Sequence, residues 1–300
     1  MAKKNEEVST VRRAKHGGIL TVIFAILSFL WIAPILIVFL NSFKRKAFIF
    51  THPFSLSCYS ITEGWDKFKA GITRAFCGWL NYSNGIRKTN LWECFGTSLF
   101  ITIGSVALII LCCSMCAWYI TRVHTKVTKT IYVLCLFSMI VPFQMVMFTL
   151  SKFANILHLS NPLGIIIVYM GFGAGLAVFM FTGFVKGISL EIEEAAMIDG
   201  CSPLQTFFKV VFPILKPTTV TVAILEAMWV WNDYLLPYLV LSSKYRTIPI
   251  AVQYLKQSHG QIDWGAMMAV LVLAILPIII FYIACQKYII EGVLAGAVKG

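Results

Sequence analysis

The chain has 300 residues, 59% of them hydrophobic and only 13% charged, with a mean hydropathy of +0.81. A soluble domain carries about twice that charged fraction, so this is an integral membrane protein with the bilayer as its main solvent. The net charge of +12 reads as basic loops that set topology and touch anionic lipid, which argues against nucleic acid as a partner. No G-x-x-x-x-G-K-[ST] loop offers a phosphate cradle, so ATP hydrolysis is not expected of this chain.

Residues 1–18 form a polar, basic tail, with Lys3, Lys4, Arg12, Arg13 and Lys15 against Glu6 and Glu7. Ile19 to Phe39 is then uncharged. It is too long for a signal-peptide core and lacks a small-x-small cleavage site, so it reads as an uncleaved first span. Further spans are expected at Phe95 to Tyr119, Thr130 to Leu150, Leu163 to Phe184, Thr218 to Leu241 and Trp264 to about Tyr282. Each can cross ~30 Å of hydrocarbon at a rise of 1.5 Å per residue. The fold class is all-α and polytopic, with six transmembrane helices in a domain over residues 19–288 and a tail over 289–300.

Arg122, His124, Lys126 and Lys129 join spans two and three with no acid among them, and the N-terminal tail is basic as well. Both belong in the cytoplasm by the excess of positive charge, which puts both termini inside. Lys44, Arg45 and Lys46 argue the other way, but they open a loop over residues 44–94. A loop that long translocates largely regardless of charge. Its Phe54, Tyr59, Trp65, Trp79, Tyr82 and Trp92 suit a cap that meets an external partner, and equally a belt at the membrane interface. Cys58, Cys77 and Cys94 in this loop permit one disulfide, by any of three pairings, or free thiols.

Pro142, Phe143 and Gln144 interrupt span three, and bending is the expected result. In span four, Gly171, Gly173 and Gly175 lie close enough in sequence for a close helix crossing. Between spans four and five comes a polar, helix-forming loop over residues 187–213. Ser189 can cap a helix whose first turns carry Glu191, Glu193 and Glu194. Asp199-Gly200 then breaks it. Ser202-Pro203-Leu204-Gln205 is a capping box with Pro at the first helical position, and Pro213 and Pro217 end or kink the second helix. Two short helices joined by a sharp turn are expected. Ile192, Ala195, Ala196, Leu204, Phe207 and Phe208 cannot all face water, so the pair either lies on lipid or is gripped by a soluble partner.

Span five holds Glu226, Trp229, Asn232 and Asp233. Ionisable groups inside spans are costly and usually face a bundle interior or a watery cavity. The spacing of Glu226, Trp229 and Asp233 would put them on one helix face. Carboxylates and indole rings suit a sugar, whose hydroxyls donate and whose C–H faces stack. The bland alternative is that Asn232 and Asp233 satisfy neighbouring helices and fix packing. No grouping of residues supports catalysis or metal binding.

Glu194-Ala195-Ala196, three residues, Gly200, nine residues, then Val210-Val211-Phe212-Pro213 resembles the EAA loop of bacterial ABC importer permeases, with Val210 for Ile and Phe212 for Leu. Trp231-Asn232-Asp233-Tyr234 and the ending Gly292-Val293-Leu294-Ala295-Gly296-Ala297-Val298-Lys299-Gly300 are similar to carbohydrate-type permeases, above all the maltose-type second subunit. The resemblance implies a multi-pass subunit of the bacterial cytoplasmic membrane. Its partners would be a homologous second permease, a cytoplasmic ATPase dimer and an extracytoplasmic solute-binding protein. It implies that Glu194, Ala195, Ala196, Asp199, Gly200 and Pro213 couple to the ATPase, that Gly296 and Lys299 reach it from the tail, and that span five lines the path of a sugar. It implies no cofactor in this chain, ATP and Mg being bound by the ATPase. The rival readings are an ion-gradient-driven carrier or channel, and a membrane receptor or structural protein.

Overall fold

A computed structural model describes residues 17–257 and 262–297. Among the described residues every regular element is helical, apart from one isolated β-bridge between Lys44 and Phe76. The chain divides into two units, one of residues 1–83 with 264–272 and one of residues 84–263 with 273–300.

In the first unit, α1 (Gly17–Ser42) is apolar all round and exposed along its length, as a helix facing lipid should be. The outer loop is mostly helical: α2 (Lys46–Thr51), a 3-10 turn (Ile61–Glu63), α3 (Trp65–Ala75) and α4 (Leu80–Thr89). Polar side chains fasten it. Asn81 donates to the carbonyls of Ser42 and Lys44 at 2.8 and 2.9 Å, and the Ser42 and Tyr82 hydroxyls meet at 2.8 Å. The buried Lys44 ammonium donates to Asn41 Oδ1 at 2.9 Å and to the His52 carbonyl at 2.8 Å. Phe43 packs against Phe76, Trp79 and Tyr82, so part of the aromatic content of this loop is a local core. Cys58 and Cys77 here, and Cys94 in the second unit, are free thiols.

The second unit is built on α5 (Leu91–Arg122) and α8 (Pro162–Val185). Ile109, Cys113 and Ala117 of α5 meet Ala177, Val178 and Phe181 of α8 in a buried cluster. Of the three glycines of α8 expected at a close crossing, Gly173 and Gly175 are at one and Gly171 is not, with nothing within 4 Å of its Cβ position. A Cβ on Gly175 would stand 2.7 Å from the backbone oxygen of Cys135, and one on Gly173 would stand 2.6 Å from Ile109 Cδ1. Small residues let neighbouring helices approach this closely.

Two expected spans are not continuous. The third divides into α6 (Lys126–Ile140) and α7 (Phe143–Ile156), bent by 108°. The disturbance exceeds the simple bending expected of it. Pro142 breaks the helix, because it has no N–H to donate and pushes Val141 into an extended conformation (φ −74, ψ 113). The fifth ends at α12 (Lys216–Asn232), and a separate α13 (Leu235–Val240) comes after Asp233. Among the described residues four helices are long and apolar enough to cross a membrane, or up to six if each of two bent pairs, α6 with α7 and residues 203–214 with α12, is one span. The last helix, α15 (Trp264–Ala297), runs on through most of the segment expected to be a tail.

Candidate coupling site

The loop after α8 folds as its caps dictate. The Ser189 side chain accepts from the Glu191 N–H and opens α9 (Leu190–Ile198). Gly200, at φ +87, turns the chain, with its N–H donating to Met197 O and that of Cys201 to Ala196 O, each at 3.0 Å. This left-handed conformation strains any residue with a Cβ. The Ser202–Gln205 capping box then starts α10 (Pro203–Thr206). It runs through a π-helical turn (Phe207–Val211) into α11 (Phe212–Ile214), and a bend of 77° leads into α12.

This helix pair has a rooted side and a bare side. Phe207, Val211 and Leu215 are fully buried in the cluster between α5 and α8, and the Phe207 ring lies 5.5 Å from that of Trp118. Glu193 is 1% exposed. Its carboxylate accepts from Arg122 Nε at 3.0 Å, Arg122 Nη2 at 2.7 Å and Trp118 Nε1 at 2.9 Å. Arg122 Nη2 also donates to the Ile188 carbonyl at 3.0 Å, just past the end of α8. The end of α5, the end of α8 and the start of α9 are thus held at one buried ion pair. On the bare side Ile192, Met197, Leu204 and Phe208 are exposed, and Ile198 is 85% exposed.

Of the residues expected to couple, Glu194, Ala195, Asp199, Gly200 and Pro213 are exposed and Ala196 is half-buried. Sequence reasoning passed over the pairing of Glu193 with Arg122 and Trp118. A lone arginine ending the 32-residue apolar helix α5 was the available signal, since a charge there needs a partner.

The span-five residues do not share one helix face, although Trp229 and Asp233 both meet Tyr169. The expectation of one face fails because Asp233 lies beyond the helix, in an extended conformation (ψ 125). There its Oδ1 accepts from the Leu235 and Leu236 N–H groups, and its Oδ2 accepts from the Tyr169 hydroxyl at 3.0 Å. Glu226 is 2% exposed, and a Cβ on Gly173 would stand 2.9 Å from its Oε2. Trp229 is 40% exposed, with its ring edge-to-face on Tyr169. Asn232 is exposed and donates back to the Met228 carbonyl. Gly296 lies in the last turn of α15; Lys299 falls outside the described residues.

Residues 109–294 match the family of binding-protein-dependent transport system inner membrane components. The chain belongs to that family. It is 37% identical, over 94% of its length and 96% of the relative's, to the probable starch degradation products transport system permease protein AmyC of Thermoanaerobacterium thermosulfurigenes. It is 30% identical to the melibiose/raffinose/stachyose import permease protein MelC of Bacillus subtilis, over 96% and 99% of the two chains. The crystal structure of a bacterial ABC transporter involved in the import of the acidic polysaccharide alginate contains a chain of the same fold. The TM-score is 0.70 at 22% identity, with 94% and 99% of the two chains covered. The protein is accordingly an inner-membrane permease subunit of the ABC importer class, and its EAA-like loop is the helix pair α9–α10.

Proposed function

We propose that this subunit forms one half of the path by which an ATP-driven importer takes up a sugar, most simply an oligosaccharide, and that the pair α9–α10 is its grip on a separate ATPase. The observation that carries the coupling role is the contrast within that pair: Ile192, Met197, Ile198 and Leu204 stand bare while Phe207 and Glu193 are rooted between α5 and α8. Exposed apolar side chains on a well-anchored element suit insertion into a partner's cleft. When two ATPase subunits close on ATP, a pull on this element passes through the Glu193–Arg122 pair to the ends of α5 and α8, and so to the membrane helices. ATP and Mg bind in the ATPase, not in this chain.

Sugar as cargo is supported by relatives named for starch products and for melibiose, raffinose and stachyose. Within α12 the exposed Trp229 ring and Asn232 amide are the groups of the right chemistry to face a sugar, whereas Glu226 is buried and Asp233, just past the helix, is taken up by Tyr169 and the next turn. A homologous second permease completes the path, a solute-binding protein delivers from outside, and both termini lie in the cytoplasm, as does the basic loop between α5 and α6.

Affinity purification in mild detergent tests the assembly. The wild type should bring down a second permease and an ATPase, and Gly200→Val and Ile198→Asp should lose the ATPase. A chain that purifies alone, or a partner set unchanged by both substitutions, sinks this reading.

A further inference from the structure

A cavity of about 780 Å³ opens where α5 ends, α6 begins and α8 ends, within the ~300–1,000 Å³ typical of small-ligand sites. Its walls carry Arg122, His124, Lys126, Lys129 and Lys186, and no acid. Arg122 is committed to Glu193 and the Ile188 carbonyl. The other four are exposed and make no ion pair among the described residues. Thr182 also lines the cavity; it is 3% exposed, and its hydroxyl has no hydrogen-bond partner among the described residues. A buried hydroxyl left without a partner is costly. One beside unpaired cations, with the amino-terminal end of a 15-residue helix in the same wall, is arranged for an anion.

We propose that this cavity binds the phosphate of an anionic phospholipid headgroup. Lys126, Lys129 and Lys186 supply the charge, and Thr182 donates from the floor. Basic pockets between helix ends at the membrane surface are a recurrent way of holding such headgroups. A lipid is favoured over an acidic peptide because the basic side chains stand at the helix ends of a membrane-spanning chain, where anionic headgroups gather. The inference takes from the family assignment only that the chain sits in a membrane, and it needs no ATPase.

The test is native mass spectrometry of the full-length chain in detergent, with phosphatidylglycerol or phosphatidylcholine added as mixed micelles. The wild type should retain phosphatidylglycerol at least about tenfold better than phosphatidylcholine, and the triple variant Lys126→Gln/Lys129→Gln/Lys186→Gln should lose that preference. The triple Lys→Arg variant should keep it, as should Lys67→Gln/Lys69→Gln on α3. Should the triple Gln variant fail to fold, as judged by circular dichroism, Thr182→Val alone should weaken retention several-fold. Equal retention of the two lipids by the wild type overturns the proposal, as does a folded triple Gln variant that keeps the preference. Release of phosphatidylglycerol by millimolar inorganic phosphate overturns the lipid assignment in favour of a free anion. A variant that keeps its lipid but loses a co-purifying ATPase shows that the cavity serves a protein contact instead.

Discussion

Glu193 and Asp233 each take a hydrogen bond from an aromatic side chain on another helix, Trp118 Nε1 for the one and the Tyr169 hydroxyl for the other. Each sits beside an interruption in the helical chain. Their surroundings then diverge. Glu193 is neutralised by Arg122 and spends its oxygens on side chains from α5. Asp233 has no cation partner among the described residues and spends one oxygen on the backbone of the next helix, at Leu235 and Leu236. The first arrangement ties separate elements together and can carry force between them. The second is a local cap that shapes a turn. Similar chemistry serves transmission in one place and geometry in the other, and what separates them is whether the partner is a distant charged side chain or the nearby backbone.

The sharpest way to break this contrast is to strand the buried acid. Arg122→Ala should destabilise the protein by about 3–5 kcal/mol, because Glu193 is left charged and unpaired in the interior. Arg122→Ala/Glu193→Gln should recover much of that loss. Unfolding free energies in detergent read both, and equal losses in the single and double variants would deny the pair its role. Next comes the packing beneath it. Gly175→Ala should cost about 1–3 kcal/mol, since its Cβ would press on the Cys135 carbonyl in the backbone of α6. Gly171→Ala, with nothing within 4 Å of its Cβ, is the matched control and should be nearly neutral.

The two aromatic donors come third. Trp118→Phe removes a hydrogen bond to a buried charge and should cost about 1.5–3 kcal/mol, while Tyr169→Phe should cost about 1 kcal/mol because Asp233 keeps its backbone donors. If Tyr169→Phe proves the more damaging, the distinction between the two carboxylates is wrong. The smallest effect on stability should come from Ile198→Asp, within about 0.5 kcal/mol on an exposed site. That variant should nonetheless abolish retention of the ATPase.

The caps around Gly200 were legible because they are local. Ser189, Ser202 and Gln205 act within three residues of themselves, and short-range rules suffice. The glycines of α8 were legible in part: their spacing marked a close crossing, which Gly173 and Gly175 make and Gly171 does not. Glu193 was not, because its partner stands 71 residues away and three acids near the start of α9 looked alike. Nor was the break at Asp233: hydropathy reads Thr218 to Leu241 as one span and does not register a carboxylate that prefers amide protons to a helix interior. Pro142 gave notice of a disturbance but not of its size. In the outer loop, the fastening by Asn81 and Tyr82 was not legible, because what they bind, the end of α1, is some 40 residues distant.

The break at Pro142 also bears on how the protein is made. α6 has 15 residues and α7 has 14, so each is about 21–22 Å long, short of the ~30 Å of hydrocarbon. Neither is long enough to settle across the bilayer when it emerges alone from the insertion machinery. The two must partition together, sheltered by α5 that precedes them and completed by α8 that comes after. The order of synthesis thus becomes part of the folding route, and lengthening the α6–α7 junction should delay membrane integration more than an equal insertion within the outer loop.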